Sequence, residues 1–375
     1  MIKSMYFQSP DEMTVIMNRV HQRGGQPPPD ADPDILLGEF CPASTLKLKR
    51  TFLTRSKFPN INCHCHLNGI LPKDIAPGLA AMDASNTKAI INLDGGLTLD
   101  STRRAIDAFD RAYPERFYTF LNVETYDIDE PDFNAKINAR IKASAEYGAK
   151  GIKMFKEMGM AVTDAKGALI LPDDDRLRVV WEAAAECKLP VLYHIADPYA
   201  FFTPFGPANE RFEQLRRHPE WRFHEPQYPR FERLMEAMEN FLARNSATTF
   251  VVPHIASLGE DLPRLSALLD RYPNLNFDLA ARMYELARIP FSGRDFLIKY
   301  AGRALYGTDG AQLGGAPVYY RILETNDEYF NPRDGSDSMG PDMRYMGYGL
   351  NLPDDVLRKI YHGNFERLFT IGGVS

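Results

Sequence analysis

Eight short apolar or β-branched runs, separated by segments of helical periodicity, restrict the fold of this chain more than any other feature. The runs are Ile61 to Cys63, Lys88 to Leu93, Phe117 to Val123, Gly151 to Phe155, Pro190 to Tyr193, Thr249 to Val252, Leu275 to Leu279 and Ala304 to Tyr306. Helical spacing fills the intervals at Ser101 to Ala112, Phe133 to Tyr147, Asp174 to Cys187, Phe231 to Arg244, Asp261 to Arg271 and Phe291 to Tyr300. The cluster Asp173-Asp174-Asp175 ahead of Leu177, Val180 and Trp181 reads as an N-cap and first turn. Strands alternating with helices imply βαβ crossovers and a parallel sheet. Eight of them point to a closed α/β barrel, the (β/α)8 TIM fold, ahead of an open doubly wound sheet. No Gly-x-Gly-x-x-Gly turn follows the first run, which argues against dinucleotide binding.

Composition agrees with one large globular barrel. The chain has 375 residues, 44% hydrophobic and 25% charged, enough to bury a core without disulfides or a structural metal. A net charge of −6 and the lack of a basic run argue against nucleic acid and against an anionic membrane surface. Cys41, Cys63, Cys65 and Cys187 lack metal-knuckle spacing, and Cys63 and Cys65 are expected in packing on the strand face opposite His64. No apolar stretch is long enough to span a bilayer, and Met1 to Met5 lack a signal-peptide core. The expected location is cytoplasmic, although a removed signal peptide would leave no trace in this sequence.

Two connections exceed ordinary loop lengths: Ile195 to Pro229, rich in aromatic residues and proline, and Gly310 to Leu352, rich in Gly, Tyr and Met. Residues 1–56 form an N-terminal extension with an extended stretch at Gln26-Pro27-Pro28-Pro29-Asp30, and residues 57–375 form the barrel. The three pieces are expected over the barrel mouth or in a subunit contact; the alternative is solvated insertions. Tyr199, Phe201, Phe202 and Phe205 read either as a substrate wall or as the first loop's own core.

Histidines supply the chemistry. His64 and His66 are two apart at the end of the first strand, so both imidazoles can aim at one point. His194 ends strand five, His254 ends strand six and Asp309 follows strand eight. In a barrel those ends converge on one mouth, where ionisable side chains are costly unless used or paired. Three imidazoles and a carboxylate suit a zinc-like ion with an open position for water. His21, His218, His224 and His362 lack that setting and receive no role.

The ordered set His-x-His, His, His and Asp resembles the amidohydrolase superfamily. Gly148 to Lys153, Pro190 to Asp197 and Leu305 to Gly310 resemble its amidohydrolase-2 branch, which includes relatives of aminocarboxymuconate-semialdehyde decarboxylase. That resemblance spans roughly residues 57–370. It implies one divalent metal, zinc ahead of manganese or iron, held by His64, His66, His194 and Asp309 with His254 beside it. It further implies a hydrolase acting through a metal-activated water on a small carboxylated ester, lactone or amide. Asp309 then accepts the water proton, and His254 orients the water or polarises the substrate oxygen. The same residues support a non-oxidative decarboxylase, and a third reading is a metal-binding barrel without catalysis.

Several positions stay open. Some members of the superfamily carry a carboxylated lysine bridging two metals at the end of strand four; Lys153 lies inside that strand, and Lys156 is nearer its end. Lys153 instead suits a substrate carboxylate or a nearby acid. Arg282, after strand seven, suits two-pronged substrate binding or an ion pair with Glu285. Asn209, Glu210, Arg211 and Glu324 are weaker candidates. The expected partner is a small-molecule substrate, with a homodimer as the default assembly.

Overall fold

The computed structural model describes residues 35–340 and 344–369. Contacts divide the chain into a short unit, Met1–Cys41, and a large one, Pro42–Ser375. The extended stretch at 26–30 and His21 lie outside the described residues. Within the large unit eight parallel strands pair in chain order: β1 (Asn60–Cys65), β2 (Thr87–Asn92), β3 (Phe117–Asn122), β4 (Gly151–Met154), β5 (Val191–Tyr193), β6 (Phe250–Val252), β7 (Leu275–Asp278) and β8 (Ala304–Leu305). Backbone bonds join β1 to the chain after β8: Cys63 N to Tyr306 O at 2.9 Å, Asp309 N to His64 O at 2.9 Å and His66 N to Gly310 O at 3.0 Å. All eight anticipated strands are present, and the fold is a (β/α)8 barrel.

The helices form where apolar spacing and caps coincide. Asp261 caps the helix Leu262–Arg271 by accepting from Arg264 N, and Leu262, Leu265, Leu268 and Leu269 form its buried stripe. Phe133–Tyr147 and Phe231–Arg244 follow the expected boundaries, and Asp174 caps the short turn that leads into Arg178–Glu186. Helix Phe133–Tyr147 ends at Gly148, whose φ of +131° strains any side chain. Helix Pro72–Ser85 escaped the periodicity because Pro77 and Gly78 lie inside it. Among the described residues no helix is long and apolar enough to cross a membrane.

Two layers of core fix the direction of the barrel. Ile61, Cys63, Ala89, Ile91, Leu93, Phe120, Leu192, Val251 and Leu305 fill the lumen, and Phe365 and Phe369 of the C-terminal segment plug its lower end. The buried imidazole and charged side chains of the strands, His64, Lys153 and Asp278, lie toward the upper end, where strands finish. Simple alternation fails once. The β1–β2 register slips between Asn62 and Cys65, and this bulge separates the two cysteines. Cys63 packs in the lumen, while Cys65 packs with Met82, Ile90 and Phe117 beneath helix Pro72–Ser85, so they do not share the face expected of them.

Within the large unit, the two long loops and residues 42–57 are ordered against the barrel over their described residues. In the first loop Phe202 packs on Phe223 and Phe231, giving that segment its own core. Phe201 stacks on Trp221, whereas Tyr199 and Phe205 are exposed. The second loop contains helix Pro317–Glu324 and grips the first through Arg344 Nε and Glu213 Oε2 at 2.6 Å. Residues 42–57 lie along the second loop, through the Ala43–Ser338 bridge, Arg50–Asp337 at 2.6 Å and Thr51 on Asp327.

Candidate active site

The histidine ends meet at the upper mouth, and His64, His66 and His254 are each held through Nδ1 by a partner at the end of another strand. His64, at the end of β1, places Nδ1 2.7 Å from Asp278 Oδ2 at the end of β7. His66 places Nδ1 2.7 Å from Asp94 Oδ1, just after β2. Ionised carboxylates only accept, so both rings carry hydrogen on Nδ1 and turn Nε2 into the mouth. The two Nε2 atoms lie 3.2 Å and 3.4 Å from the same oxygen, Asp309 Oδ1. His254 donates from Nδ1 to Ala280 O at 2.8 Å, and its Nε2 lies 3.9 Å from Asp309 Oδ2. Gly307 allows this approach, because a Cβ there would stand 2.9 Å from His64 Cβ.

Backbone strain accompanies the convergence. His254, Ile255, Ala256 and Ser257 have φ of 61°, 55°, 51° and 59°, a left-handed turn of four side-chain-bearing residues. Each such residue costs on the order of 1–2 kcal/mol. Asp278 Oδ1 accepts from His254 N at 2.8 Å and from Ala280 N at 3.0 Å, and Ser257 Oγ donates to Ala196 O at 2.6 Å. One buried carboxylate thus orients His64 and secures the turn carrying His254. Asp309 (φ 58°) and Ala281 (φ 52°) are left-handed too. The Tyr319 hydroxyl links their surroundings, accepting from Ala281 N at 2.9 Å and donating to Thr308 O at 3.3 Å.

The electrostatics follow from burial among these charges. Burial opposes ionisation of Asp309, but its hydrogen bonds with His64 and His66 overcome that and hold the carboxyl ionised well below the usual range. The hydrogen bond to Asp309, followed by that to Asp94, pushes His66 up to about 9. Burial first, then the charges of Arg282 and His64, brings His254 down to about 3. Burial likewise keeps His194 neutral, well below the usual histidine value, and brings Lys153 down to about 8.

Among the described residues two groups of donors are close enough to share an ion: His64, His66 and Asp309, and His64, His254 and Asp278. The second is already spent, because Asp278 accepts from both His64 Nδ1 and the His254 backbone. The first turns two imidazole Nε2 atoms on one carboxylate oxygen, an arrangement that needs a cation between them, either a proton or a metal ion in its place. His194 stands outside both groups, with its ring centroid 4.4 Å from that of His254. Its Nε2 is buried without a hydrogen-bond partner among the described residues. A divalent ion suits that orphaned atom and this donor set.

The other candidates divide. Lys153 is buried inside β4 with Nζ 3.3 Å from His64 Nε2. Lys156 pairs with Asp197. Arg282 is buried and lines the mouth, its one side-chain hydrogen bond among the described residues being to Ala281 O at 2.8 Å. It does not pair with Glu285, which takes Arg211 of the first loop instead. Asn209 holds Ala200 O, Glu210 pairs with Arg288, and Glu324 binds Lys57 N and Tyr361, away from the mouth. The mouth encloses a cavity of about 410 Å³, walled by Phe155, Pro198, Phe201, Trp221, Arg211 and Gln214 besides the polar cluster. Asp94, Asp278 and Tyr319 were not anticipated from sequence. The first two are carboxylates at strand ends, which in sequence look like any other acid there.

The amidohydrolase family profile matches residues 61–371, the whole barrel. The chain belongs to the amidohydrolase family, in its amidohydrolase-2 branch. No curated protein matches the sequence. Among solved structures, 2,6-dihydroxybenzoate decarboxylase is 14% identical, with 84% of this chain and 100% of that one covered and a TM-score of 0.51. An uncharacterised TIM-barrel protein from Bordetella bronchiseptica is 16% identical over 84% and 99% of the two chains, with a TM-score of 0.47. 4-Oxalomesaconate hydratase from Rhodopseudomonas palustris is 13% identical over 83% and 95%, with a TM-score of 0.46. At 14% identity the likeness to the decarboxylase is one of fold alone.

Proposed function

We propose that this amidohydrolase is a mononuclear metal-dependent hydrolase of small carboxylated esters, lactones or amides. One observation carries the reading: His64 Nε2 and His66 Nε2 converge on one oxygen of Asp309 while His254 Nε2 faces the other. His64, His66, His194 and Asp309 would hold the ion, with zinc favoured by three imidazoles and one carboxylate. When bound, such an ion supplies Lewis-acid polarisation and lowers the pKa of water.

The chain's own groups do the rest. Asp309, kept ionised, takes the proton of the attacking water and returns it to the leaving oxygen or nitrogen. His254, neutral and fixed through Nδ1, orients the water from the opposite oxygen of Asp309. Arg282 has no carboxylate partner among the described residues and grips the substrate carboxylate, with the Lys153 cation nearby. Pro198, Phe201 and Trp221 of the first loop shield the reacting centre from bulk water.

Reaction in ¹⁸O-labelled water tests the reading. A panel of carboxylated lactones, esters and amides should include substrates whose products gain one labelled oxygen. Release of carbon dioxide without label uptake would assign decarboxylation to the same residues. Absence of turnover across both panels by metal-loaded protein would leave a binding barrel.

A further inference from the structure

The second long loop reaches the mouth through one hydroxyl. Tyr319 lies in the first turn of helix Pro317–Glu324, and its ring meets that of Tyr306 edge-on at 6.0 Å, beside the end of β8. The helix is anchored, with Tyr320, Ile322 and Leu323 buried and Arg321 paired with Asp327 at 2.9 Å. Ala281, Arg282 and Asp309 line the cavity, and Tyr319 stands behind that lining. There its hydroxyl accepts from Ala281 N at 2.9 Å and donates to Thr308 O at 3.3 Å.

Each of those backbone groups is one step from a working side chain. The Ala281 carbonyl accepts from Arg282 Nη1 at 2.8 Å, so the residue that Tyr319 holds also aims the guanidinium. Thr308 precedes Asp309, the proposed proton acceptor. Ala281 and Asp309 are both left-handed, with φ of 52° and 58°, a conformation that side-chain-bearing residues keep only where their surroundings impose it. The two ends are not held alike. Asn62 brackets Thr308, accepting from its N at 3.1 Å and donating to its Oγ1 at 2.8 Å, and Asp309 N donates to His64 O at 2.9 Å. On the other side the Ala281 amide has Tyr319 as its one partner among the described residues, and the Arg282 amide makes a long bond of 3.3 Å to Leu279 O. Loss of the hydroxyl therefore frees Arg282 while Asp309 keeps its other anchors.

We infer that Tyr319 is a positioning residue, whose hydroxyl fixes the Arg282 guanidinium relative to Asp309 and so selects substrates by the distance from their carboxylate to the bond that is cleaved. This rests on the reading of Arg282 as the grip for a substrate carboxylate. Such control is effective because a misplacement of about 1 Å can cost roughly 100-fold in rate.

Binding of carboxylated hydroxamates to the zinc-loaded full chain, measured by calorimetry, tests the inference without turnover. The hydroxamate end takes the metal, and a carboxylate two to five methylenes away takes Arg282; alkyl hydroxamates of equal length serve as uncharged partners. In the wild type one length should bind at least about tenfold more tightly than its uncharged partner, an advantage that Arg282→Met erases. Tyr319→Phe keeps the ring on Tyr306. It should cut the advantage to about threefold or less and level it across lengths, with metal content and uncharged hydroxamate affinity unchanged. In the Arg282→Met background Tyr319→Phe should change nothing further, because it acts through Arg282. An unaltered length preference in Tyr319→Phe overturns the inference alone. So does an equal loss for charged and uncharged probes, which marks a hydroxyl that serves only the fold. No advantage of the carboxylate in the wild type, or one that survives Arg282→Met, refutes the carboxylate reading of the mouth, and the inference with it.

Discussion

Asp278→Asn isolates the element on which the site's geometry depends. The carboxylate is fully buried and accepts three bonds: His64 Nδ1 at 2.7 Å, His254 N at 2.8 Å and Ala280 N at 3.0 Å. Burial disfavours its charge, but the His64 interactions and the His254 bonds hold it ionised below the usual carboxylate range. An asparagine keeps one oxygen for the two backbone N–H groups and turns an NH₂ toward His64 Nδ1. Two donors then face each other, so His64 holds its hydrogen on Nε2 and has no lone pair there to offer an ion. Loss of a partner that fixes a ligating histidine typically weakens metal affinity about 10–100-fold. The lost charge-assisted bond should cost the metal-free fold about 1.5–3 kcal/mol. Competition titration against a chromophoric zinc chelator measures the first, and chemical denaturation with chelator present measures the second. A folded variant that binds zinc within roughly threefold of wild type would refute the claim that Asp278 sets the His64 tautomer.

Three further outcomes follow from the same geometry. His254→Ala should abolish turnover with metal content near normal, because its Nε2 faces the Asp309 oxygen away from the other histidines; loss of the metal would make His254 a ligand. Asp309→Asn should lose turnover and also weaken metal binding, and retained activity would rule out its role as the proton acceptor. Away from the site, burial raises the Asp110 carboxyl from 3.8 to about 6, so the folded state binds its proton more tightly. Its contribution therefore falls as pH rises from about 4 to 6, and Asp110→Asn should stabilise the protein by about 1–3 kcal/mol above that window and by little below it. The asparagine can still accept from Thr119 N and donate to Thr119 Oγ1, and denaturation curves of equal midpoint on both sides of the window would contradict the assignment.

The barrel was legible because its strands are buried on both faces and read as continuous apolar runs. Helices with clean stripes, such as Phe231–Arg244, were legible for the same reason. Helix Pro72–Ser85 was hidden by internal Pro77 and Gly78, and helix Pro317–Glu324 by its place within a long connection. At the site, histidines stood out because imidazoles at the ends of apolar strands have few other uses. Asp278 did not, since a carboxylate that orients a histidine looks like any acid at a strand end. The pairing of Glu285 with Arg211, not Arg282, depends on how the first loop folds back, and nothing local in sequence encodes that. The bulge in β1 is equally silent, and it alone separates Cys63 from Cys65.

Metal analysis of chelator-free protein, set beside the His64→Ala/His66→Ala double variant, tests the central claim most directly. The account predicts about one divalent ion per chain in the wild type and none in the variant. About two ions would make Lys153 a bridging ligand. No ion, with none taken up from added zinc or manganese, would contradict the metal centre on which the proposed chemistry rests.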